Sequence, residues 1–332
     1  MTNPFDIDEI LPDEPAGRVQ LPRRQSGNAP QGLTVSLLAD YTARTRSWLP
    51  SAAIVALLGD AGVSPPGARA AISRLARRGS LEGRQPGRHS FYRLPDPAAA
   101  YLALGGMRVA SSGASATTWD ETWTLIAFSL PQEERARRRT LRSHLRWLGY
   151  APLYDGLWVS PLELGKEIQE TLAEVALGAV TVFQARHVDV TASGGRNPID
   201  AWDTTAIAAR YESFLRRWEK PLPRIRSGDL TGAEAVRTRT ECMDTYRTFS
   251  VIDPELPQQL LPAGWLRQSV REVFVAVYDG LAEAADDHVR TVVTRHSAGR
   301  PPAIRAHTVA ELQAGVRPDL AGDPDRDEAR LR

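Results

Sequence analysis

The apolar positions of this chain change their period along its length, and the changes mark out its elements. In 33–43, LTVSLLADYTA, the residues Leu33, Leu37 and Leu38 form a stripe at helical spacing. Trp48 and Leu49 precede a second helical pattern over Ser51–Gly59, for which Ser51 is a suitable N-cap, and a turn follows at Gly62. Ser64 is placed to cap a third helix that begins at the prolines Pro65 and Pro66, where a missing N–H costs least, and that stops by Gly79. In that helix Ala68, Ala71, Ile72 and Leu75 fall on one face, which leaves Arg69, Ala70, Ser73, Arg74 and Arg77 on or near the other. The period then drops to two in Leu81–Arg84 and Ser90–Leu94, either side of the turn sequence QPGR. Two helices, a third with a polar arginine-bearing face, and a basic hairpin make the outline of a winged helix-turn-helix.

The polar stretch SSGASATT (111–118) reads as a linker. Beyond it, Trp123–Leu130 is apolar and strand-like, Pro131 opens a basic helix that runs to Trp147, and Gly149 starts a strand pattern, YAPLYDGLWVSP. A helical segment, LGKEIQETLAEVAL, leads to the Val- and Phe-rich stretch Ala179–Val190. Strands alternating with helices at this length predict a small α+β sandwich, ferredoxin-like in outline. A second linker, SGGRNP, precedes patterns that are mostly helical, near 200–219, 231–249 and 263–285. The expected organisation is a disordered Pro-rich arm (1–30), a winged helix (31–110), a ferredoxin-like domain (118–192), a helical C-terminal domain (199–290) and a disordered tail (298–332).

Composition narrows the function. A net charge of +1 would not suggest nucleic acid, but ten arginines face four acids between Gln31 and Ala110. Lys166 and Lys220 are the only lysines, so clustering of arginine carries the signal rather than its identity. The single cysteine, Cys242, excludes an intrachain disulfide and is expected to be a buried apolar residue in a reducing compartment. No secretory pattern opens the chain and no apolar run approaches a membrane span, so a cytoplasmic protein without membrane contact is expected. The six histidines lack metal-ligand spacing, and Walker A, GxGxxG and GxSxG patterns are absent, so neither cofactor nor metal is expected.

Arginine can read guanine bidentately, serine can bond bases or phosphates, and small Ala70 would admit the helix to a groove. Arg69, Ser73, Arg74 and Arg77 are therefore candidate contacts to double-stranded DNA. In the hairpin, Arg84 and Arg88, with Gln85 and His89, are candidates for phosphates or the minor groove. The basic helix, with Arg135, Arg137, Arg138, Arg139, Arg142 and Arg146, fits either DNA or an anionic ligand, and a merely solvated face is the plain alternative. Most tryptophans are expected in cores; Trp265, in LLPAGW, is the first candidate to line a ligand pocket.

Three segments resemble the PaaX-like transcriptional repressors of phenylacetate catabolism. They are GARAAISRLARRGSLEGRQPGRHSFYRL, then WTLIAFSLPQEERARRRTLRSHLRWLGYAPLYDGLWVSP, then YRTFSVIDPELPQQLLPAGWLRQSVREVF with its DPELP and LLPAGW elements. The resemblance implies a winged helix, a central domain shaped like the Cas2 nucleases, and a helical C-terminal domain. It also implies a homodimer that represses a promoter and is released by an aryl-CoA thioester. Effector contacts are then expected from Trp265, Arg138 and Arg142, between the central and C-terminal domains. The rival reading, a Cas2-like nuclease, is disfavoured. Nucleases of that shape carry an Asp at the end of the first strand, where this chain has Ser129, and a lone hydroxyl is a poor ligand for Mg²⁺.

Overall fold

A computed structural model describes residues 29–114, 119–130, 132–165, 169, 172, 180–189, 195–297 and 299–316. The chain forms a mixed α+β structure divided into two compact units. Among the described residues, one comprises those within 29–112, 214–249 and 269–316; the other comprises those within 113–213 and 250–268.

In the first unit, α1 (Pro30–Thr42) starts on a proline and buries Leu33, Val35, Leu37, Leu38 and Tyr41. Helix α2 (Ser51–Asp60) buries Ala53, Ile54, Leu57 and Leu58. Ser51 is its first residue rather than its cap. The cap position is Pro50, which makes no side-chain cap bond, and the Ser51 N–H donates to the Ser90 carbonyl at 2.8 Å. Gly62, at φ 82°, turns the chain into α3 (Pro65–Arg77), where the Ser64 hydroxyl does accept from the Gly67 N–H at 3.3 Å. Both α1 and α2 pack on α3. The hairpin β2 (Glu82–Arg84) and β3 (Phe91–Arg93) gains a third strand that the residue pattern does not reveal, β1 (Leu49–Pro50), in the antiparallel order β1-β3-β2.

A further helix, α4 (Asp96–Ser111), follows the hairpin inside a segment that carries no strong helical stripe. Helices α6 (Thr204–Trp218), α7 (Leu222–Arg226) and α9 (Phe249–Ile252) also belong to the C-terminal part of the chain, where α8 (Gly232–Tyr246) and α11 (Ala282–Arg295) pack on each other and both cover α2. Helix α10 (Arg267–Gly280) contributes Phe274, whose ring stacks on Tyr246 at 3.8 Å with an interplanar angle of 2°. Residues 299–316 correct part of the expected tail. A short helix, α12 (Val309–Gln313), is closed by a full capping box between Thr308 and Glu311 and lies against α4. Burial of Ile304, Ala306, Val309 and Leu312 holds it there, a reason invisible in a stretch read only for its prolines and charges. The expected arm, 1–30, lies outside the described residues up to position 28, as does the tail beyond 316.

The second unit is built on an antiparallel sheet in the order β5-β6-β4-β7. Its strands are β4 (Thr122–Phe128), β5 (Ala151–Tyr154), β6 (Leu157–Ser160) and β7 (Val180–Arg186). The stretch expected as one strand is a hairpin, because Asp155-Gly156 turns it back on itself. Helix α5 (Arg135–Trp147) lies over one face, where Leu141 and Leu145 meet Ile126, Phe128, Tyr150 and Trp158. On the opposite face Trp123 and Val159 pack with Trp119, Trp202 and Leu260. Both faces of β4 are covered, which explains its nearly continuous apolar run. Most of the helix expected over LGKEIQETLAEVAL, and linker positions 115–118 and 190–194, lie outside the described residues.

Candidate nucleic-acid interface

The seat of α3 decides which of its side chains reach solvent. Ala68, Ala71, Ile72 and Leu75 are buried at 2% exposure or less. Arg69, Ser73, Arg74 and Arg77 are consequently all exposed, along one side of a two-ended helix whose last turn is basic. Arg74 turns back to donate from Nε to the Ala70 carbonyl at 3.2 Å. Among the described residues Arg69 and Arg77 have no ion-pair partner. The side chain between them, Ala70, is small enough to leave a shallow cationic surface.

The hairpin tip, Gln85–His89, is exposed throughout, and Gly87 at φ 64° makes its turn. Arg88 projects there. Arg84 does not stand alone: its guanidinium lies 4.6 Å from the Trp48 ring centroid, and that of Arg93 lies 4.4 Å from the same ring. Glu82 holds Arg93 at 2.5 Å across the two strands. Trp48 is thus flanked by two guanidinium groups alongside the hairpin, an arrangement that residue order alone does not reveal. Its only signal in sequence is a tryptophan just before a strand, too common a feature to single out.

Behind this surface is a buried polar cluster. Arg239 on α8 is wholly enclosed and donates to the carbonyls of Tyr278 and His307, with its guanidinium 3.5 Å from the Tyr278 ring centroid. The Tyr278 hydroxyl donates to Asp40 of α1 at 3.0 Å, and His288 of α11 meets Asp60 of α2 at 2.8 Å. Burial pushes the Asp40 carboxyl above its usual range, and burial, reinforced by the Arg239 charge, brings His307 down to about 4. These contacts tie the helices that carry α3 to the C-terminal helices. Cys242 is buried in α8, and burial raises its thiol above the ordinary range, which leaves it a packing residue.

The effector candidates lie in the second unit and are not brought into one group. Trp265 packs edge-on against Tyr211 at 5.7 Å, and its buried Nε1 has no hydrogen-bond partner among the described residues. Tyr211 donates to Asp253, whose carboxylate also takes two bonds from Arg267, at 2.6 and 2.7 Å. Asp253 and Arg267 come from the DPELP and GWLR stretches, so those two stretches fold together around one ion pair. Arg138 donates to the Leu130 carbonyl, and Arg142 pairs with Asp155 at 2.5 Å. No described contact joins either arginine to Trp265. Ser129 is exposed just beyond the end of β4, and among the described residues no group of three or more His, Cys, Asp or Glu side chains could hold a metal.

Comparison with known proteins meets the same three segments. Residues 29–98 match the family described as PaaX-like protein, 116–195 the PaaX protein central Cas2-like domain, and 202–291 the PaaX-like protein C-terminal domain. The chain belongs to the PaaX-like family. It is 27% identical over 243 residues to the transcriptional repressor PaaX of Escherichia coli (strain K12), which covers 72% of this chain and 75% of that one. Among solved structures it resembles the uncharacterized protein Rv0674 from Mycobacterium tuberculosis, with a TM-score of 0.49 and 19% identity over 77% of this chain and 96% of that one.

Proposed function

We propose that this protein is a transcriptional repressor that binds double-stranded operator DNA, with α3 as recognition helix and β2–β3 as wing. The observation that carries the reading is the exposed row Arg69, Ser73, Arg74 and Arg77 beside a hairpin bearing Arg84 and Arg88. The family of the chain and the activity named for its Escherichia coli relative support it. In this reading the first three helices and three-stranded sheet are a winged helix-turn-helix. The sheet order β5-β6-β4-β7, antiparallel throughout, supports a ferredoxin-like second unit. That unit serves regulation, not catalysis; Ser129 in place of an acid argues against the nuclease alternative.

The protein acts as a homodimer in the cytoplasm, since two-fold symmetry would set two recognition helices on half-sites about one helical turn apart. No helix among the described residues is long and apolar enough to cross a membrane. A small-molecule effector, of the acyl-CoA or aryl-CoA thioester class, releases DNA by favouring a dimer in which that spacing is lost. Trp265, whose indole N–H has no partner among the described residues, and Arg138 and Arg142, which no described contact joins to it, are its proposed contacts.

Mobility shifts on an operator isolated by selection from random duplexes test the interface. Arg69→Ala or Arg74→Ala should weaken operator binding by roughly 1–3 kcal/mol, whereas Arg84→Ala and Arg88→Ala should weaken all sequences alike and lower the salt slope by about one each. Recognition-helix variants that bind the operator as tightly as the unaltered protein would remove α3 from the groove.

A further inference from the structure

Helix α5, RARRRTLRSHLRW, carries six arginines and no acid in 13 residues, and the fold sorts those arginines into two groups. Leu141 and Leu145 face the sheet and are fully buried. The two arginines flanking that side are used within the unit: Arg138 donates to the Leu130 carbonyl, and Arg137 bonds Glu134 at 2.8 Å. The other four, Arg135, Arg139, Arg142 and Arg146, recur at intervals of four, three and four and so fall in one line along the solvent side. Arg142, in the middle, is held by Asp155. Arg135, Arg139 and Arg146 are exposed, and among the described residues none of them has an ion-pair partner. Arg146 is braced from below, its guanidinium 5.5 Å from the Trp158 ring centroid.

The shape of this charge selects its partner. From Arg135 to Arg146 the line is about 16 Å long, at roughly 1.5 Å per helical residue. A phosphate recurs about every 3.4 Å of axis along one DNA strand, so a duplex presents several phosphates over that length. A small anion would neutralise one end of the line and leave the rest unopposed. Guanidinium groups match phosphate oxygens in a planar fork and carry no base preference when they stay outside the grooves.

We propose that the solvent face of α5, through Arg135, Arg139 and Arg146, is a second DNA contact of this protein, made to the sugar-phosphate backbone without regard to sequence. The proposal deepens the repressor reading and rests on it: the central unit would add non-specific affinity to what α3 and the wing provide.

The test is binding of the full-length protein to a mixed-sequence duplex of about 40 base pairs over a range of salt, followed by fluorescence anisotropy. Arg135→Gln/Arg139→Gln should reduce affinity several-fold at moderate salt and lower the slope of log K against log salt by about two. Arg146→Gln should lower it by about one. The ratio of operator to mixed-sequence affinity should not change. Circular dichroism and the thermal midpoint should match the unaltered protein, since these side chains are exposed. An unchanged salt slope overturns the proposal. So does an unchanged slope accompanied by weakened binding of coenzyme A, which would make the face a small-anion site. Arg69→Ala is the parallel arm: if it keeps full operator affinity, the recognition-helix reading fails, and the slopes of the α5 variants still decide the present one.

Discussion

Trp48 shows how one residue can organise charges that it does not carry. Its ring lies within 5 Å of the guanidinium carbons of both Arg84 and Arg93, and each such contact contributes about 0.5–1 kcal/mol at an exposed site. The effect is to restrict the rotamers of Arg84 before any DNA arrives. Trp48→Leu should therefore weaken DNA binding by roughly two- to five-fold, the equivalent of that contact energy. In a double-mutant cycle it should be non-additive with Arg84→Ala and additive with Arg88→Ala. Additivity with both would reduce Trp48 to a packing residue. His307 makes the second prediction at this scale. Its imidazole is buried and neutral, with burial and the Arg239 charge lowering its pKa from the ordinary 6.5 to about 4. Between those values the unfolded chain binds a proton that the folded one refuses, so stability falls as pH drops from 6.5 to 4, by about 3 kcal/mol in full. Above 6.5 the group has no effect. Asp40, raised by burial, acts with the opposite sign. The prediction is thus read as a difference: urea midpoints at pH 7 and pH 5 should diverge less in His307→Gln than in the unaltered protein.

At the scale of elements, helix faces were legible and strand boundaries less so. The apolar set Ala68, Ala71, Ile72 and Leu75 reports its own burial because helical period and burial share one cause, the seating of a stripe against neighbours. The hairpin β5–β6 was hidden inside an apparently single strand, since apolar residues on both sides of Asp155-Gly156 maintain the pattern through the turn. Gly156 has a tertiary reason to be glycine. A Cβ there would stand 2.9 Å from the Phe128 carbonyl oxygen, while the Gly156 carbonyl accepts from the Phe128 N–H at 2.9 Å. Gly156→Ala must push β4 and the turn apart, and should cost roughly 1–3 kcal/mol of unfolding free energy. An unchanged thermal midpoint would mean that the turn shifts freely.

For the whole molecule, the consequential finding is that the segments carrying the candidate DNA contacts share a compact unit with helices more than a hundred residues away in the chain. Helices α8 and α11 cover α2, Tyr278 of α10, whose carbonyl Arg239 bonds, donates its hydroxyl to Asp40 of α1, and α12 lies on α4. A fragment of residues 29–112 would expose Leu57, Leu58 and the Asp40 carboxyl that the longer chain encloses. Such a fragment should unfold at lower urea than the full chain and without a sharp cooperative transition. A fragment as stable as the intact protein would show the C-terminal helices to be dispensable for the DNA-binding fold.

The amino-acid sequence by itself determined the elements whose local period matches their burial: the three helices before the β2–β3 hairpin, the basic helix of the central unit, and the polar face that bears Arg69, Ser73, Arg74 and Arg77. Its three separated motifs also sufficed to indicate the family, because their order along the chain is specific where each alone is not. Only the tertiary structure decided which distant residues meet. Trp48 between two arginines, Asp253 with Arg267, Arg239 beneath α1, and the sorting of α5 into bonded and unopposed arginines all depend on contacts across many residues. Periodicity records whether a position faces a core, but it is silent on which other position it faces there. A side chain's partner is set by how the elements pack, and so is the charge left over for a ligand.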